Sequence, residues 1–145
     1  MALTPQSFTD ASASPSRSTR VYKDISLSFT RHPVTGDIAT LTNADAIKRS
    51  VRNLINTDFF ERPFHPEIGS NIRRTLFEPV DVGTADQLSV YIEECIINFE
   101  PRVELKSIQV DADLDRNGYN ITIEFYIINS PDGLQELDIQ LERLR

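Results

Sequence analysis

Four glutamates, Glu61, Glu67, Glu78 and Glu100, are available in this chain for paired-carboxylate chemistry. Glycoside hydrolysis needs two carboxylates flanking a sugar, one as general acid and one as base or nucleophile. The chain can supply such a pair, but it has no Trp to serve as a sugar platform. Fifteen acids fall within residues 75–145, so any one pair carries little information. His32 and His65 each sit beside a proline, far apart, with no cysteine cluster near them. That pattern argues against zinc. Cys95 lies on the apolar side of a helical pattern and reads as a small core residue. Asp111, Asp113 and Asp115 open like a calcium loop. Arg116 then stands where the sharp-turn glycine belongs, and Thr122 where the bidentate glutamate belongs. No phosphate loop or dinucleotide fingerprint is present. We therefore expect no catalytic residue, metal, cofactor or small-molecule substrate.

A different feature remains. Asn98-Phe99-Glu100-Pro101-Arg102-Val103 joins a helical region to a run of strands. Pro101 has no N–H and disfavours helix at the residue before it, so the helix must stop by Phe99. Glu100 then places an acid near the negative end of a helix dipole, where a cation is favoured. Extended chain puts Glu100 and Arg102 on one side. This is either a solvated corner or a docking point.

The elements that position the corner follow from periodicity. Residues 1–20 are rich in Ser, Thr and Ala and read as an arm; residues 21–145 read as one domain. Asp24 to Thr30 alternates, with Ile25, Leu27 and Phe29 on one face, predicting a half-buried strand. A turn at His32–Asp37 and a short extended piece, Ile38 to Leu41, follow. Asn43 is the expected N-cap of a helix with Ala44, Ile47, Val51, Leu54 and Ile55 inward. Pro63 and Pro66 pin a loop that Phe59, Phe60, Phe64 and Ile68 should anchor. A short helix carries Ile72, Leu76 and Phe77. Thr84 to Gln87 matches a capping box. The helix behind it buries Leu88, Tyr91, Ile92, Cys95, Ile96 and Phe99. Val103 and Leu105 then fall out of step with Ile108, Val110 and Ala112, which predicts a bulge near Ser107. Asn117-Gly118 signals a two-residue hairpin. Tyr119 to Ile127 and then Leu137, Ile139 and Leu141 give two more strands. The expected class is α+β: an N-terminal strand, three helices, then a three-stranded antiparallel meander with the helices on one face.

Charge is uneven along the chain. Residues 17–74 carry +4 and residues 75–145 carry −10, within a total of −7. The acidic balance disfavours nucleic acid and anionic membrane as partners. No apolar run reaches membrane-spanning length and no leader is expected. The asymmetry suits oriented docking between proteins. The last strand, Leu134 to Arg143, closes the meander, and its charges read first as edge protection.

Several pieces occur in one order: Pro33 to Ile38; Ala46 to Ile55; Glu61-Arg62-Pro63 with Pro66 to Gly69; Leu76 to Pro79; and Phe99 to Val103. In this combination, roughly residues 22–143 resemble the small baseplate wedge protein of contractile-tailed phages. That family includes W-type tail proteins and a baseplate component of type VI secretion. The resemblance implies a structural, non-enzymatic protein of the virion tail baseplate, assembled in the host cytoplasm. It implies docking of Glu100, Pro101 and Arg102 onto a helical core bundle of other wedge proteins. It also implies that the tail sheath protein exchanges a strand with the edge carrying Leu137, Ile139 and Leu141, which would template the first sheath ring. Tail tube or hub proteins are further expected partners. The alternatives are a tail-associated peptidoglycan hydrolase and the equivalent subunit of a secretion system. On this reading the charge reversal Arg102→Glu leaves the fold intact and abolishes incorporation into the wedge.

Overall fold

The sheet is built from alternation. In the computed structural model, which describes residues 22–144, β3 (Val103–Asp113), β4 (Gly118–Ile127) and β5 (Gln135–Glu142) form an antiparallel sheet in the order β3-β4-β5. Tyr119, Ile121, Ile123, Phe125 and Ile127 of β4 are buried, as are Leu137, Ile139 and Leu141 of β5. The alternate residues face outward, as period-two patterning requires. The register slips between Leu105 and Ser107, where the out-of-step alternation placed a bulge.

The other side of the core is helical. α1 (Asn43–Ile55) turns Ile47, Val51, Leu54 and Ile55 inward, and α3 (Val82–Phe99) turns Leu88, Ile92, Cys95 and Ile96 inward. A single turn, α2 (Ile72–Thr75), adds Ile72, and Leu76 just beyond it is also buried. α3 packs along β3, α1 beside α3 and against β5, so all helices cover one sheet face. Each fully buried side chain contributes roughly 1.5–3 kcal/mol of transfer free energy before entropy is counted. A two-stranded ribbon, β1 (Lys23–Ile25) with β2 (Thr40–Thr42), precedes α1. The architecture is α+β, with strands first, three helices next and the meander last.

Several local expectations fail, each for a physical reason. The segment after Ile25 is not a half-buried strand. Phe29 N bonds back to Ser26 O and Phe29 takes φ +50°, so the chain turns. Ile25, Leu27 and Phe29 end exposed, while Ser26 is buried. Asn43 does not cap α1. It lies inside the first turn at φ +50°, with its N–H on Tyr22 O and its Oδ1 buried without a partner. Thr84 is not an N-cap either. Asp81 holds that position and accepts from Thr84 N at 2.7 Å, which starts α3 three residues early. Phe60 and Phe64 do not pack down: both take positive φ, and they are 78% and 96% exposed. Phe77 also faces solvent. The β3–β4 loop has four unpaired residues, Leu114 to Asn117, with Asn117 alone at positive φ. The Ser/Thr-rich arm, residues 1–20, lies outside the described residues.

Two glycines are forced by close approach. A Cβ on Gly69 would sit 2.5 Å from the Asp58 carbonyl carbon, and one on Gly118 would sit 2.6 Å from Leu141 O. Gly69 closes the proline-rich loop just past the end of α1, and Gly118 lets β4 start close beside the end of β5.

Candidate functional site

The end of α3 is fixed by the backbone first. Glu100 N donates to Ile96 O at 2.9 Å, which completes the last helical bond. Pro101 cannot continue the ladder. Val103 N then turns back to Glu100 O at 3.2 Å, and β3 begins. This tight stop swings Glu100 inward instead of into solvent.

Glu100 is only 3% exposed. Its carboxylate is fully engaged within the chain. Arg102 Nε donates to Oε1 at 2.6 Å and Arg102 Nη2 donates to Oε2 at 2.7 Å, a bidentate pair. Ser50 Oγ, from α1, donates to Oε2 at 2.7 Å and accepts from Arg102 Nη2 at 3.0 Å. Burial pushes the Glu100 carboxyl upward. Hydrogen bonds from Arg102 and Ser50 and the charge of Arg102 together outweigh it and hold the group below the usual carboxylate range. The Arg102 guanidinium is raised, chiefly by its hydrogen bonds to Glu100. It also lies 5.6 Å over the centroid of the Tyr22 ring. Tyr22 in turn donates to Ile128 O, so the start of the described chain is tied to the sheet at this corner.

In the chain alone, Glu100 is buried with both oxygens bonded to Arg102 and Ser50, so the group it holds at the surface is Arg102. About a third of the Arg102 side chain stays open to water, and Pro101 is exposed. A groove of about 500 Å³ opens beside Pro101, between α3 and the start of β3, with exposed Ile97, Glu93 and Glu104 on its walls.

Ser50 is the member of this cluster that sequence reading missed. It stands three residues after Ile47 and four before Leu54, a hydroxyl within an apolar stripe. That position was the one available signal, and nothing in the sequence linked it to residue 100.

The carboxylates considered for catalysis are scattered. Glu61 Oε2 accepts from Asp58 N at 2.9 Å and closes a turn, while Glu67 meets His65 at 3.1 Å on the surface. Cys95 is buried, and burial pushes its thiol up to about 11.

The second candidate region is β5. Leu137, Ile139 and Leu141 were expected to meet a partner, but their side chains belong to the core. Arg143 N donates to Asn117 O, which sets the alternation of the ladder. The backbone groups of Leu141, Ile139 and Leu137 then face β4, and those of Glu142, Gln140, Asp138 and Glu136 face outward. What the edge offers a neighbour is this outer row. On the solvent face, Glu124 and Glu136 lie directly opposite each other, with Lys106 and Ser107 bound to Glu124.

These features sit in a fold already known. A family model described as baseplate wedge protein gp25 matches residues 42–132. The baseplate wedge protein gp25 of Enterobacteria phage T4 is 31% identical over 105 residues, spanning 72% of this chain and 80% of that protein. In the solved baseplate of the anti-feeding prophage, one chain superposes with a TM-score of 0.66 at 24% identity, covering 78% of this chain and 90% of that one. A Geobacter sulfurreducens protein, provisionally named a tail lysozyme, gives 0.65 at 24% identity, covering 72% and 96%. The two structural likenesses show the shared fold. The sequence match extends from the end of β2 to the β4–β5 turn and takes in Ser50, Glu100, Pro101 and Arg102, and on it the chain belongs to the family of baseplate wedge protein gp25, structural proteins of phage tail baseplates.

Proposed function

We propose that this protein is a non-enzymatic wedge component of a contractile tail baseplate that docks through Pro101 and Arg102 and offers the β5 edge to the sheath. The observation that carries the reading is the saturation of Glu100. A general acid needs a raised pKa and a free proton path. Glu100 has a lowered pKa and spends both oxygens on Arg102 and Ser50. Its geometry suits a brace that holds out the Arg102 guanidinium, while Pro101 and Ile97 line the neighbouring groove. The partner there is the helical core bundle of the other wedge proteins, with Ile97 as an apolar anchor on the groove wall.

The β5 edge carries the second half of the reading. β3 is the other edge of the sheet, but its bulge breaks the row of outward groups, a device that blunts strand addition. β5 pairs with β4 in continuous register from Gln135 to Glu142. A sheath strand could therefore extend the sheet there by backbone bonding. The acidic outer face would then meet a basic sheath surface. Tube or hub proteins are further partners of the protein on this reading. The particle is the tail baseplate of a virion, put together in the host cytoplasm.

Assembly of purified wedge subunits tests the docking half. Ile97→Glu places a charge in the groove at an exposed position and should leave the melting temperature unchanged while excluding the chain from the wedge. Normal incorporation would remove the groove from the account. Gln140→Pro tests the sheath half, because it deletes an outward N–H that β4 does not use. Wedges should form and sheath rings should fail to start. A peptidoglycan digestion assay covers the enzymatic alternative: activity of the pure protein that Glu61→Gln abolishes would refute the structural role.

A further inference from the structure

The outer edge of β5 runs beside the polar face of α1. Arg52 Nη2 donates to Asp138 O at 3.1 Å. That is the bond an incoming strand would make with its own N–H, so Arg52 caps the edge in the free protein. Lys48 and Arg49 lie one turn earlier on the same face. Together with Leu41, Leu137 and one carboxylate, Asp45, these cations line a groove of about 250 Å³ between α1 and the edge. Among the described residues none of the three cations pairs with a carboxylate.

A strand added to β5 must displace Arg52 from the Asp138 carbonyl. The released guanidinium then lies in a groove with two other cations. A neutral strand would leave three cations to the single carboxylate of Asp45, whereas a carboxylate on the strand would take two of the Arg52 N–H groups. The opposite side of the added strand faces different company. It extends the outer sheet face beside Glu136, Asp138 and Glu142, where a further carboxylate would be repelled. Successive side chains of a strand point to opposite faces.

Resting on the reading that β5 accepts a strand, we infer that the accepted segment carries acidic residues at every second position, on the side turned toward α1, paired with Arg52 and Arg49. The partner class is an extended, alternately acidic peptide segment. Arg52 acts as guard of the free edge and as reader of the docked strand.

A thermodynamic cycle with synthetic peptides tests this. The probes are two end-capped ten-residue peptides, one alternating Thr with Glu and one alternating Thr with Gln. Each is titrated at low salt into the full chain and into the Arg49→Gln/Arg52→Gln variant, with backbone amide shifts followed by NMR. Binding of the Glu peptide to the native chain should be at least about fivefold tighter, an exposed-pair effect at each contact. In the variant the two peptides should bind alike, and amides of Glu136, Asp138 and Gln140 should shift throughout. Equal binding of both peptides to the native chain, with those shifts present, overturns the acidic preference and leaves strand acceptance standing. A preference for Glu that persists in the variant also overturns it. Absence of β5 shifts with either peptide overturns strand acceptance and the inference together.

Discussion

Arg102 grips Glu100 across two residues of a proline corner, with Nε–Oε1 at 2.6 Å and Nη2–Oε2 at 2.7 Å, and Ser50 of α1 bridges both. The pair welds the end of α3, the start of β3 and the middle of α1. Removing one member leaves the other in a site built for two charges. Arg102→Ala should cost about 1–3 kcal/mol, below the value for a fully buried pair because Arg102 is partly open to water. Arg102→Glu should cost more, since it brings a second carboxylate to Glu100. The charge reversal is therefore expected to weaken the fold as well as docking, so it does not separate the two. Urea denaturation of both variants checks the order.

Ser50→Ala should cost about 1 kcal/mol, the usual net value of a hydrogen bond lost from a polar cluster. The same change in an Arg102→Ala background should cost measurably less, because the two groups act on one carboxylate. Equal costs in the two backgrounds would mean that Ser50 stabilises α1 independently of the corner.

The corner also sets an acid limit. Glu100 has a folded pKa below its unfolded value near ~4.3. Its stabilising contribution is fully present above that unfolded value and is lost as pH falls through the lower folded pKa. Stability of the native protein should thus decline below about pH 4 more steeply than that of Glu100→Gln, which removes the titration. Denaturant midpoints between pH 3 and 6 measure the difference.

Gly118→Ala should destabilise by roughly 1–3 kcal/mol, because its Cβ would press on Leu141 O at 2.6 Å. Loss of β4–β5 amide protection in hydrogen exchange would place the damage at the strand start.

Much of this architecture was legible in the sequence. Period-two alternation gave β4 and β5 with the correct inward residues, the phase slip gave the bulge, and the 3.6 period gave the inward faces of α1 and α3. What failed was local chemistry overridden by neighbours. Asn43 and Thr84 are good capping types, but Tyr22 O takes the Asn43 N–H, and Asp81 reaches the α3 N-terminus first. Ile25, Leu27 and Phe29 alternate like a buried strand, yet the core is already closed by the meander, and among the described residues no layer covers them. At the candidate site, sequence supplied Glu100, Pro101 and Arg102 but left open whether the acid met a cation inside the chain. Only the tertiary approach of Ser50 and the tight stop at Pro101 show that it does. The β5 residues chosen from the sequence were the inward ones, because apolar alternation marks the core face and is silent about backbone edges.

The most direct test concerns Pro101, which is exposed and takes no part in the internal cluster. Binding of native protein and Pro101→Glu to the purified wedge core bundle should be compared by titration, alongside their melting temperatures. Loss of the proline stop should lower the melting temperature somewhat while the chain stays folded at the titration temperature, and binding should weaken at least about tenfold, a loss expected for a charge set in the centre of an interface. Equal binding by a folded Pro101→Glu chain would contradict the claim that this corner docks.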